Sequence, residues 1–328
     1  MIATAVNHYP KIPNAPRPAK LRQAVTQFQE GSLSLEHLRA VQDEVTEEVL
    51  REQAEAGLDL VTDGQVRWDD CATYLAQALE GFRITGLVRL YDTNTYYRRP
   101  VADKKVMWKG PILVRDFQFA REHSPKPVKA VITGPYTLAR LSLHPAYERF
   151  SDFVLDMAKA LNQELRALEA EGGAQWIQID EPGLVFQKRK EDWKLFQEAF
   201  CAVVEGVGAQ KSLYFYHGDA EGFYPDVLKL PLDLLGLDFV TTSRNWELLQ
   251  KHPCRKGLGA GILDARNTRL ESLARIEERV RKARSCLPDQ NLPLHLGPHC
   301  GLEFLPRETA YEKLKRLSQA VHSMEVPA

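Results

Sequence analysis

Eight short apolar runs recur along the chain, and amphipathic stretches separate most of them. The runs fall at 2–6, 58–62, 128–133, 176–180, 213–216, 239–241, 258–262 and 292–296. Between them, apolar residues are spaced by three and four, as at Leu38, Val41, Val45 and Val49 within 38–57. The same spacing runs through Val154, Met157, Leu161, Leu165 and Leu168 within 147–171. That spacing gathers them on one helical face. Gly57 and the pair Gly172-Gly173 stop these helices just before the next strand, and Thr268 with Glu271 reads as a capping box for a later one. Alternating strand and helix implies a parallel sheet. Eight such units predict a closed α/β architecture, the (β/α)8 TIM barrel, over an open doubly wound sheet. No GxGxxG follows the first run, so a dinucleotide site lacks its marker. The barrel is expected to be a single domain spanning 1–328. Only 82–127, rich in Tyr, Arg and Lys, breaks the rhythm, and it predicts an inserted hairpin or lid over the barrel mouth.

Bulk properties exclude several classes of partner. The net charge is -1, so no field of one sign attracts nucleic acid or an anionic membrane. No apolar run is long enough to span a bilayer. The five cysteines, Cys71, Cys201, Cys254, Cys286 and Cys300, are odd in number and contain no CxxC pair. That is a poor disulfide framework and points to a reducing compartment, the cytoplasm.

In a barrel of this kind, chemistry collects at the C-terminal ends of the strands. Those ends carry Asn7-His8, Asp63-Gly64-Gln65, Thr133-Gly134-Pro135, Asp180-Glu181-Pro182, His217-Gly218-Asp219, Thr242-Ser243-Arg244, Asp264 with Arg266, and His299-Cys300-Gly301. His217, Asp219 and Cys300 offer N, O and S donors, a set that suits zinc with one open position. The bland reading is a hydrogen-bonded strand-end histidine and a small buried cysteine. Asp180 is either a base or ammonium-binding carboxylate, or a structural partner of a barrel arginine. Tyr96, Tyr97, Arg98 and Arg99 form either a ligand clamp or a solvated hairpin face. His295 reads as a packed barrel residue, whereas His8 ends the first strand.

Several of these segments, in this order, resemble the cobalamin-independent methionine synthase family. They are Asp63-Gly64-Gln65 with Arg67, Ile132-Thr133-Gly134-Pro135, Ile177-Gln178-Ile179-Asp180-Glu181-Pro182, His217-x-Asp219, Thr242-Ser243-Arg244 and Cys300-Gly301-Leu302. The resemblance covers most of the chain and fits the short, one-barrel forms. Asp92-Thr93-Asn94 with Tyr96-Tyr97, and Asp264-Ala265-Arg266-Asn267, look more like the non-catalytic barrel of the long forms.

The resemblance implies a methyltransferase of methionine biosynthesis. A zinc-bound homocysteine thiolate would take a methyl group from a methyl-folate or from methylcobalamin, the latter possible on a corrinoid protein as partner. It implies His217 and Cys300 as metal ligands and catalytic residues, with Asp219 where the family has a second cysteine and Thr241 where it has a glutamate. Asp180 would hold the amino-acid ammonium, and Gln65 replaces a second glutamate in that role. His8 stands where the family has a serine, and His8, Gln65, Tyr96 and Arg244 join Asp180 as candidate substrate contacts. A zinc on His217, Asp219 and Cys300 would be neutral, which favours activating water or a carbonyl over alkylating a thiol. The altered ligands keep two alternatives in view: other metal-assisted chemistry on a small molecule, and a non-catalytic binding barrel.

Overall fold

A computed structural model of the chain describes residues 1–324. The last four positions of the expected 1–328 domain lie outside the described residues. Seven strands form one parallel sheet: β1 (Ile2–Ala3), β4 (Ala130–Thr133), β5 (Trp176–Asp180), β6 (Gln210–Tyr214), β7 (Leu234–Asp238), β8 (Gly257–Leu263) and β9 (Leu294–Pro298). They run in the order β1-β9-β8-β7-β6-β5-β4. The bridges Thr4 to Leu60 and Val61 to Val128 join the two ends through 60–61 and complete the ring. The result is the expected TIM barrel, with helices around it. The fully buried β7 and β8 are apolar throughout except Asp238, as a sheet covered on its outer face requires.

Two of the barrel's inner surfaces are unusually close. A Cβ on Gly236 or Gly259 would collide with the ring of Tyr214. Glycine at both positions lets that large ring fill the interior.

Several boundaries differ from the sequence expectation. The sixth barrel strand is β7 at Leu234–Asp238, not 239–241, which forms the turn after it. Phe239 still donates its N–H to Gly261 O, which explains why the apolar signal extended there. The fifth strand begins earlier and the eighth later than expected. The capping box at Thr268 and Glu271 does not form. Ser272 caps the helix Leu273–Ser285 by accepting from Arg275 N, while Glu271 accepts from Asp264 N and Lys313 Nζ.

The insert is a long antiparallel hairpin, β2 (Glu80–Arg89) with β3 (Tyr96–Met107), followed by the helix Val114–His123. Its tip turns over the barrel mouth. Tyr91, at φ +50, places its ring 4.3 Å from that of Phe186 and 6.1 Å from that of His217. Asp92 faces Arg266 across the mouth at 3.9 Å. Among the described residues, no helix is long and apolar enough to cross a membrane.

Candidate active site

Alternation along the strands decides which side chains meet inside the barrel. On β5, Gln178 and Asp180 share the inner face, and Ile177 and Ile179 face the helices. All four are buried. Asp180 therefore sits at the barrel axis, at the mouth end of its strand. Its Oδ2 accepts from Asn7 Nδ2 at 2.8 Å and from Tyr216 OH at 3.3 Å. Its Oδ1 accepts from Gln178 Nε2 at 2.7 Å. Burial pushes its pKa up to about 6, against the pull of those donors and of Lys129. Asp180 is thus a buried carboxylate held by three neutral donors, with no arginine against it among the described residues.

Glu181 points the other way. Its carboxylate accepts from Tyr136 N, Thr137 N and the Thr137 hydroxyl at 2.6–3.0 Å. It ties the neighbouring helix Pro135–Arg140 to β5, and burial raises its pKa to about 7. Arg67 is buried against Asp43 and Asp116, with its guanidinium 5.1 Å from the centre of the Phe119 ring.

His217 follows β6 in a left-handed conformation, φ +64, and donates its backbone N–H to Asp238 Oδ2. Its Nδ1 is buried and has no hydrogen-bond partner among the described residues. Burial, then His299 and Arg266, lower its pKa to about 3, so the imidazole is neutral. The Tyr91 hydroxyl and Gln65 Oε1 are likewise buried and unpartnered. Gln65 sits at φ +49, with its N–H on Asp63. His8 is buried with its ring edge-on to Trp68, and burial with Lys11 lowers its pKa to about 3.

The proposed zinc set is not gathered. Among the described residues, no three His, Cys, Asp or Glu side chains converge as a metal site. Asp219 accepts from Lys188 Nζ at 2.9 Å and from Glu221 N. Thr241 donates its hydroxyl to Asp238 at 2.6 Å. Cys300 Sγ lies 3.5 Å from His299 Nε2, and burial pushes its thiol pKa well up. As arranged, these residues do not fit a three-donor zinc centre. Tyr96 and Arg244 also stand apart from Asp180. Tyr96 is 58% exposed on the hairpin. Arg244 is exposed and ion-paired with Glu221 and Glu247. Tyr97 is not a clamp: it is buried and donates its hydroxyl to Leu141 O.

Sequence reasoning missed Tyr216, Gln178, Lys129 and Tyr91. The first three are polar residues at inward positions in or beside barrel strands, a signal that strict alternation would have found. Tyr91 lies in a turn and follows no period.

A model of the family described as "Cobalamin-independent synthase, Catalytic domain" matches residues 2–323. The chain belongs to the cobalamin-independent methionine synthase family. As a member it is an enzyme. A methionine synthase of Saccharolobus solfataricus is 36% identical over 301 residues, spanning 91% of this chain and 89% of that protein. One of Sulfurisphaera tokodaii is 34% identical over 302 residues, spanning 91% and 87%. In fold, the chain is similar to a B12-independent methionine synthase from a Shewanella species, solved in complex with selenomethionine. That likeness has a TM-score of 0.83 at 20% identity, over 98% of this chain and 97% of that one.

Proposed function

We propose that the barrel mouth transfers a methyl group to the thiol of homocysteine, giving methionine, with Asp180 holding the substrate's α-ammonium. The observation that carries this reading is the Asp180 carboxylate itself. It is buried at the barrel axis, is donated to by Asn7, Tyr216 and Gln178, and among the described residues has no cationic side chain in direct contact. A buried carboxylate set up in this way gains most from a ligand cation. The family membership and the names of the relatives support the reaction class.

The neutral His217 offers an unpaired Nδ1 beside Tyr216 and Phe304, positioned to hydrogen-bond a substrate group rather than to remove a thiol proton. The methyl donor is a methylated folate or a methylated corrinoid, free or on a corrinoid protein. Of the residues that the resemblance implies for zinc, His217 offers a nitrogen and Cys300 a thiol, while Asp219 bonds Lys188 and Thr241 bonds Asp238. The five free cysteines accord with action in the cytoplasm, and one barrel would carry the whole activity.

The test is methionine formation from homocysteine with each donor in turn, followed by mass spectrometry. The parent should form methionine with one of them. Asp180→Asn should raise KM for homocysteine roughly tenfold or more, the range expected for a lost charge-assisted bond. Zinc analysis of the same preparations should give less than one ion per chain after dialysis. No methionine with either donor would overturn the reaction. One retained zinc per chain, lost in both His217→Ala and Cys300→Ser, would overturn the ligand misfit.

A further inference from the structure

The barrel interior beneath Asp180 is polar and ordered. Lys129, immediately before β4, is 4% exposed. Its Nζ donates to Gln178 Oε1 at 2.7 Å and lies 5.3 Å from the centre of the Tyr214 ring. Gln178 Nε2 then donates to Val6 O at 3.0 Å and to Asp180 Oδ1 at 2.7 Å. A lysine ammonium can only donate. It must therefore meet the amide oxygen, and the amide nitrogen must face Asp180. Lys129 holds the amide from its oxygen end, as Val6 O and Asp180 Oδ1 hold it from its nitrogen end, so losing Lys129 frees the oxygen end of this route. Turned over, the amide would set an oxygen against the Asp180 carboxylate, a repulsive contact in a buried site.

Burial lowers the Lys129 pKa to about 7, against the pull of the Asp180 carboxylate, and in either protonation state its N–H groups can donate to the Gln178 amide oxygen. A cavity of about 130 Å³ opens below Lys129 and His295, at the end of the barrel away from the mouth. Such a space can hold water against a polar wall. His295 stays neutral through its burial and the Lys129 charge. The sequence expectation that His295 packs inside the barrel agrees with its 7% exposure.

We propose that Lys129 is a positioning residue: through the fixed amide of Gln178 it holds the Asp180 carboxylate as an acceptor aimed at the mouth, and so sets affinity for the α-ammonium of the substrate. This rests on the reading that Asp180 binds that ammonium. Lys129 touches no substrate and acts at second hand.

The test compares two probes by calorimetry: L-methionine, and its des-amino analogue 4-(methylthio)butanoate. The parent should prefer L-methionine. Lys129→Met and Gln178→Met should each weaken L-methionine at least tenfold and the analogue less than threefold. The double variant should be no weaker than the worse single one, because both act on one route. Equal loss of both probes, no loss of either, or additive losses would each overturn the proposal. Should Lys129→Met fail to fold by circular dichroism, Gln178→Met decides alone by the same criterion. Asp180→Asn, measured alongside, separates the two levels. If it leaves the preference for L-methionine intact, the ammonium reading fails. If it abolishes the preference and the Lys129 and Gln178 variants do not, only the positioning role fails.

Discussion

Asp180 shows how one buried charge couples function to pH. Its folded pKa of about 6 lies above the ordinary value of 3.8, mainly through burial. Only the ionised form attracts an ammonium. Affinity for L-methionine should therefore be full well above pH 6 and fall about tenfold per unit below it. The analogue lacking the ammonium should not follow that slope. A flat profile for both, read by calorimetry between pH 5 and 8, would remove Asp180 from binding. The stability sign is opposite. A raised folded pKa means that the native state holds its proton more tightly than the unfolded chain. This stabilising contribution is complete below the ordinary carboxylate range and is lost as pH rises to about 6, at about 3 kcal/mol for this residue. The IQIDEP stretch made Asp180 legible in the sequence. The pairing of Asp219 was not legible in the sequence because its partner, Lys188, lies on another element and turns towards it from a left-handed helix end.

At the scale of elements, the hairpin β2–β3 brings chemistry that no barrel strand carries. The sequence located the insert by its broken rhythm. It selected Tyr96 for the mouth, whereas the structure supplies Tyr91. In the hairpin Tyr96 and Tyr97 face opposite sides, one exposed and one buried, so neither reaches the barrel axis. Tyr91, at positive φ in the turn, sets its ring beside Phe186 and His217 at the mouth. Its hydroxyl is buried without a partner, and such a group costs about 1–3 kcal/mol. We expect Tyr91→Phe to raise the stability of the ligand-free protein by about 1 kcal/mol in urea unfolding. A loss of stability would mean that the hydroxyl is satisfied in solution. Its ring contacts with Phe186 and His217 would be retained in that variant, so the tip should stay seated.

For the whole molecule, closure of the ring depends on joining its first and last elements. Arg307 opens the helix Arg307–Ser323 and is 1% exposed. It donates to Glu52 at 2.8 Å and Glu48 at 3.3 Å, on the helix Leu35–Glu55, and its guanidinium lies 5.9 Å from the Tyr9 ring centre. Glu52 also pairs with Arg17, and Glu48 with Arg17 and Lys20, so losing Arg307 removes the buried cation of the network without leaving either carboxylate alone. Arg307→Met should cost about 2 kcal/mol in urea unfolding. A loss under about 1 kcal/mol would show that helix packing alone closes the barrel.

The sequence by itself determined the barrel, because short apolar runs and apolar spacings of three and four are local properties that a chain carries wherever it folds. It also placed Asp180 at the end of a strand, and so made it a candidate for the site. The edges of β7, the cap at Ser272 and the fate of the metal-like donors were decided only by tertiary structure. Asp219 and Gln178 depend on partners distant in sequence, Lys188 and Lys129, whereas Thr241 turns back on Asp238 three residues away. A hydrogen bond has two ends, and periodicity describes only one of them. The chain specifies where polar groups stand on each strand; closing the ring decides which of them meet.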